Sequence, residues 1–257
     1  MTAAPLPAGL PLREPIDDFA PFGVLAFTTT RAAGDFGLGD AEPPSAVLER
    51  WRSLHLELRD VAPRLVSARQ VHGTRILEHG DGWEGWLRAD GADGHATRAS
   101  GVACAVTVAD CVPVFIAHPL GAVALFHAGW RGTAARIVAK GIERLVEFGL
   151  DPADLKVHLG PAICGRCYEV GPDVFEQLTG WTTIRHRNVD LRALLAEQAK
   201  ESGVKQMSAS PYCTRCDNER FFSHRAGDAE RQVAVIVAPR KGVPADHGTS
   251  VAAEGNC

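Results

Sequence analysis

The chain of 257 residues is 46% hydrophobic and 23% charged, with a formal net charge of −4. That balance supports a core without disulfide staples, and it shows no basic footprint for a nucleic-acid partner. No apolar run approaches the about 18 residues of a membrane span, and the opening MTAAPLPAGLPLREP lacks a signal-peptide pattern, so no membrane partner and a cytoplasmic location are expected.

Residues 1–20, rich in Pro and Ala, predict a flexible lead-in. GVLAFTTT (23–30) is the first strand on its β-branched and aromatic content. RAAGDFGLGDAEPP (31–44) is a loop, with Arg31 a solvated charge in it. SAVLERWRSLHLEL (45–58) spaces Val47, Leu48, Trp51, Leu54 and Leu58 as a helix, with Ser45 as its N-cap. RLVSARQVHG (64–73) predicts a strand ending at His72-Gly73. DGWEGWLRADGADGHAT (81–97) reads as turns, with Trp83 and Trp86 at the surface.

Three β-rich runs follow: GVACAVTVAD (101–110), CVPVFIAHP (111–119) and GAVALFHAG (121–129). One helix is expected over 133–150, with Ile137, Val138, Ile142, Leu145 and Val146 on its apolar face. LKVHLGPAI (155–163) is a strand. Helices are predicted over 172–180 and 190–203, then strands at FFSHR (221–225) and RQVAVIVAPR (231–240). The polar stretch 241–257 is expected to be disordered. Residues 21–240 thus form a single catalytic domain of α+β class, with layered mixed sheets covered by helices. Neither GxGxxG nor GxxxxGK[ST] occurs, which disfavours dinucleotide and Walker-type phosphate sites.

Three residues stand where apolar strands meet breaks: His72 in QVHG, Cys111 in VADCVPVFI and His127 in FHAGWRG. Two imidazoles and a thiolate suit zinc with a fourth position open, and copper accepts the same donors. A lone strand histidine is ordinarily a core or edge residue, and a lone cysteine a small hydrophobe. The spacing of the three matches no compact zinc signature. Cys111 as a nucleophile with His127 or His72 as base is an alternative, and a non-enzymatic partner protein is another.

The segments QVHG (70–73), ADCVP (109–113), HAGWRG (127–132), GPAI (160–163), YEVG (168–171) and FFSHR (221–225) occur in this order. Together they resemble the YfiH/laccase-domain family, the multicopper polyphenol oxidase type also described as purine nucleoside phosphorylases, from about Phe27 to Val237. The resemblance implies that His72, Cys111 and His127 bind a metal, usually zinc. It also implies phosphorolysis of adenosine, inosine and methylthioadenosine with phosphate as co-substrate, together with adenosine deamination. A copper polyphenol oxidase is the alternative. Oxygen reduction to water needs several coppers and clustered histidines, however, and the ten histidines include no HxH pair.

Asp110, beside Cys111, and Asp93 are candidate proton shuttles for such chemistry, each with a capping or turn-forming alternative. Arg131, ahead of a helix start near Thr133, is a candidate for phosphate through its guanidinium and the helix amides. Trp130 is expected to plug the turn, with a pocket wall as the alternative, and His224 to lie at a core edge, with a place near the site as the alternative. Cys104 is read as core and Cys257 as a free tail thiol. Cys164 and Cys167, with Cys213 and Cys216, form two CxxC pairs that could bind a second, structural zinc. The pairs stand farther apart than the about 15–20 residues usual for such sites, and disulfides or small core residues are the alternatives.

Overall fold

The computed structural model describes residues 12–39 and 41–238, so the expected C-terminal disorder and Cys257 lie outside the described residues. In chain order the strands are β1 (Arg13–Pro15), β2 (Leu25–Thr29), β3 (Arg64–Arg69), β4 (Ile76–His79), β5 (Gly85–Asp90), β6 (Gly94–Thr97), β7 (Val102–Val108), β8 (Val112–Ala117), β9 (Val123–Ala128), β10 (Lys156–Leu159), β11 (Glu169–Val170), β12 (Arg187–Asn188), β13 (Gln206–Ala209) and β14 (Gln232–Val237). The helices are α1 (Pro44–Leu58), α2 (Trp130–Ala134), α3 (Ile137–Glu147), α4 (Pro172–Thr179) and α5 (Leu191–Glu201). Two mixed six-stranded sheets run in the order β1-β2-β14-β7-β3-β5 and β13-β10-β8-β9-β6-β4.

The strands explain the layering. Each inner strand is buried on both faces, so it reads as an unbroken apolar run, and alternate residues serve different layers. In β8, Val112, Val114 and Ile116 join Ile137, Ile142, Leu145 and Leu195 in a core beneath the helices. Their neighbours Phe115 and Ala117 meet Cys104, Val106 and Ile236 between the two sheets. The outer face of the first sheet packs Ala103, Ala105 and Val235 on Val47, Trp51 and Leu54 of α1. The result is four layers: helix, sheet, sheet, helices.

Several expectations need correction. The lead-in is structured from Arg13, with β1 and a 3₁₀ turn over Asp17–Phe22 that buries Phe19 completely. Pro44 opens α1 without a side-chain cap, so Ser45 is not its N-cap. Leu48 and Val146 point to solvent. β3 ends at Arg69, before the QVHG segment. The stretch 81–97 holds β5 and β6 rather than turns alone, and Trp86 stacks on Trp51 with ring centroids 5.1 Å apart.

The predicted helix over 133–150 is two helices. Arg136, at φ 61°, sits in the left-handed region and breaks it, and the Thr133 carbonyl there accepts from the Arg136 amide (3.0 Å) and from Gln198 Nε2 (2.8 Å). FFSHR is not a strand. Its Ser223 accepts from the Ala226 amide and opens a 3₁₀ turn over His224–Ala226. Arg31 is no solvated charge: it donates to Asp228 (2.6 Å) and to the Asn218 carbonyl (2.9 Å), and lies 4.5 Å over the Phe222 ring.

Candidate metal centre

Strands β3, β5 and β7 are parallel neighbours in the first sheet, and the chain leaves each of them to enter the second sheet as β4, β6 and β8. The three crossings therefore lie at one end of the sandwich. The first carries His72, the second Asp93, the third Asp110 and Cys111. His127 comes from β9, where it is paired with Pro113 of β8. Residues far apart in the chain meet because three strand ends are aligned.

One donor atom each from His72, Cys111 and His127 lies within 4.8 Å of the others. The imidazoles of His72 and His127 meet edge to face, with centroids 4.8 Å apart. Two non-glycine residues in this cluster hold left-handed backbone, His72 (φ 58°) and Asp110 (φ 80°), which is uncommon outside glycine and concentrates at functional sites. Gly129 is needed for a different reason. A Cβ there would stand 2.9 Å from Cys111 Sγ and 3.1 Å from His72.

Asp93 is fully buried and holds the cluster in shape. It accepts from the amides of Val71 (3.2 Å), His72 (2.9 Å) and Gly73 (2.7 Å), and it faces His127 Nδ1 at 2.9 Å. Burial alone would raise its pKa, but the hydrogen bonds from His127 and from these amides hold it below the usual carboxylate value. A carboxylate so placed keeps the proton on His127 Nδ1 and leaves Nε2 for a ligand, the usual arrangement behind a metal-bound histidine. Its four interactions fit a positioning residue rather than a proton shuttle. The sequence marked Asp93 as a candidate acid, but its burial and its contact with His127 depend on the fold.

In the metal-free chain, burial pushes the Cys111 thiol up. Opposing it, the His127 imidazolium and hydrogen bonds with His127 and His72 bring it down to about 6. Burial likewise works against charge on His127, and the Cys111 thiolate with Asp93 raises it to about 9. Cys111 and His127 thus form an ion pair in the metal-free chain, and release of the His127 proton would leave imidazole nitrogens and a thiolate, which are zinc ligands.

The neighbouring candidates separate. Both carboxylate oxygens of Asp110 are engaged away from the three donors, one by Thr214 Oγ1 (2.6 Å) and the other by the Arg225 amide (2.6 Å). Arg131 falls in the first turn of α2, which begins at Trp130, not near Thr133, and its guanidinium lies 4.3 Å over the Trp130 ring. Trp130 packs against the helix-side core, as a plug would.

Sequence reasoning missed Tyr168 and Arg225. The Arg225 guanidinium is 5.1 Å from the Tyr168 ring and donates to the Glu169 carbonyl (2.9 Å). Burial and the charges of Cys111 and Asp110 push the Tyr168 hydroxyl up to about 12, against Arg225 and Arg131. A cleft of about 500 Å³ opens onto Cys111, His72 and His127, and Arg69, Arg88, Arg231 and His224 line it. Cys104 is sealed between the sheets, where burial pushes its thiol up and leaves it inert. No helix among the described residues is long and apolar enough to cross a membrane.

Residues 28–239 match the family described as multi-copper polyphenol oxidoreductase laccase. The chain is 34% identical over 235 residues to a purine nucleoside phosphorylase of Deinococcus radiodurans, covering 83% of this chain and 88% of that protein. It is 32% identical over 232 residues to a protein named adenosine deaminase from an unknown prokaryotic organism, covering 79% and 88%. The fold superposes on the hypothetical protein YfiH of Bacillus licheniformis with a TM-score of 0.78 at 26% identity, over 91% of this chain and 99% of that one.

Proposed function

We propose that this chain, which belongs to the multi-copper polyphenol oxidoreductase laccase family, is a metal-dependent purine nucleoside phosphorylase acting on adenosine, inosine and methylthioadenosine. The observation that carries this reading is the placement of His72, Cys111 and His127 at the mouth of an arginine-lined cleft. The relative named as a purine nucleoside phosphorylase supports it. Adenosine deamination is a second activity of the same site, favoured by the relative that carries that name.

The donor set fits zinc, with copper able to use the same atoms. Zinc so held supplies Lewis acidity toward an oxygen of substrate or water. The protein's own residues do the rest. Asp93 fixes the His127 tautomer, and His72 closes the set from its left-handed turn. The arginines that line the cleft hold phosphate by charge-assisted hydrogen bonds, and Arg131 and Arg225 outside it add positive charge that attracts the anion. The cleft beside them takes the nucleoside.

A polyphenol oxidase reading needs several coppers. Among the described residues, groups of three or more metal donors number two: this site, with one cysteine and two histidines, and an all-cysteine quartet. A nucleophilic Cys111 would also profit from a low thiol pKa, but it has no use for a second imidazole within 4.8 Å of the same sulfur.

The test is incubation of the purified chain with adenosine, with and without phosphate, beside metal analysis. Adenine and ribose 1-phosphate, formed only with phosphate, support the reading; inosine supports the second activity. Full turnover by metal-free Cys111→Ala protein overturns both.

A further inference from the structure

We propose that Cys164, Cys167, Cys213 and Cys216 hold a second, structural zinc that braces the loop behind Cys111. The two CxxC pairs are distant in sequence, yet their four sulfurs all lie within 4.8 Å of one another. A tetrahedral tetrathiolate with Zn–S near 2.3 Å needs sulfurs about 3.8 Å apart, which is the scale of this quartet.

Three further observations point to a cation rather than to chance packing. The amides of Cys164 (3.2 Å) and Cys216 (3.4 Å) both donate to Cys213 Sγ, an arrangement that suits a thiolate acceptor. The backbone around it is tied independently of the sulfurs: Ala162 bridges Cys213, the Thr214 amide donates to the Ala162 carbonyl (3.2 Å), and Asp217 caps the Cys213 amide (2.8 Å). The quartet is thus held ready by hydrogen bonds. Finally, each pair carries an arginine just before its second cysteine, in Cys-Gly-Arg-Cys and Cys-Thr-Arg-Cys. A zinc with four thiolates has net charge −2, and Arg166 with Arg215 offsets it.

The position of the quartet gives it a purpose. Thr214, inside the second CxxC, donates to Asp110. The Ile163 amide, next to the first CxxC, donates to the Asp110 carbonyl (3.1 Å). Tyr168 follows Cys167 directly. The cluster therefore ties together the loops that fix Asp110, and through it the strained turn into Cys111. This role does not rest on which reaction the His/Cys/His site performs.

The test counts zinc in a background without the first site. In the His72→Ala/His127→Ala chain, one zinc per chain is expected to remain by mass spectrometry of the metal, and none once Cys167→Ser and Cys216→Ser are added. Cobalt(II) loaded into His72→Ala/His127→Ala protein should give the intense visible absorption of a tetrahedral tetrathiolate site, a measurement that needs no cysteine variant to fold. In a chain with the first site intact, adding Cys167→Ser and Cys216→Ser should also weaken zinc affinity at the first site by several-fold. The inference fails if the His72→Ala/His127→Ala chain carries no zinc or carries iron. It fails equally if intact mass shows two disulfides, or if all four thiols of native protein are alkylated without metal release.

Discussion

Replacing Asp93 by Asn removes one charge and turns one acceptor into a donor, with almost no change in shape. Asp93 accepts from three backbone amides and faces His127 Nδ1. An amide oxygen can still serve Val71 and Gly73, but its NH₂ then points at the His72 amide and at His127 Nδ1. The His72 amide loses its partner, which costs about 1–3 kcal/mol when buried. His127 also loses the acceptor that keeps a proton on Nδ1, so the tautomer that leaves Nε2 for a metal is no longer favoured. Loss of the group behind a ligating histidine typically lowers metal affinity by about 10–100-fold, or about 1.4–2.7 kcal/mol. Competition against a fluorescent zinc chelator on metal-free protein measures this directly. Because Asp93 acts through His127, the same substitution in a His127→Ala background should have a much smaller effect on affinity. An unchanged zinc affinity in Asp93→Asn, or an equal loss in both backgrounds, would refute the reasoning.

Cys111→Ala should abolish zinc binding at the first site and nucleoside turnover together, and metal analysis beside the phosphate-dependent assay reads both. Gly129→Ala drives a methyl group into Cys111 Sγ and His72; zinc affinity should fall by at least about tenfold with the thermal midpoint shifted by only a few degrees. Gly141→Ala places a methyl 2.2 Å from Phe126 Cζ, in the helix-side core; it should destabilise by about 1–3 kcal/mol in urea without altering metal stoichiometry. Asp228→Ala removes the acceptor of Arg31, Asn218 and the Ser223 amide. Burial raises the Asp228 pKa, and those partners outweigh it and hold it low. A depressed folded pKa gives stability that is present above the unfolded value near 3.9 and lost as pH falls through the folded one. Wild type should therefore exceed Asp228→Ala by about 1–3 kcal/mol at pH 7, with the gap narrowing in melts as pH falls below the unfolded value.

Much of this was legible in the sequence. The unbroken apolar runs around Cys104, Phe115 and Phe126 gave away the inner strands, because a strand buried on both faces has no polar alternation to hide it. The QVHG, ADC and HAGWRG segments marked His72, Cys111 and His127 as candidates, since a histidine or cysteine at a strand end is a local signal, and the resemblance implied their role as donors. What stayed hidden depends on distant partners. β6 is GHAT, four buried residues with no apolar pattern, and it is a strand only because β9 and β4 flank it. Arg136 breaks a helix without proline or glycine, and the capping Gln198 lies on another helix. Asp93 and Asp110 looked alike in sequence, as acids at strand ends. Only the fold separates the one that backs His127 from the one that receives Thr214 and Arg225.

The three aligned crossings have a mechanical consequence. His72 and Cys111 hang from links between the sheets, whereas His127 belongs wholly to the second. A metal held by all three would therefore rivet one end of the sandwich shut, and its binding energy would favour the state with the two sheets in register. Starved of metal, the chain should open first at that end. The arginine-lined cleft would then lose its shape well before the far end, where Phe19 and Leu155 are buried, gives way.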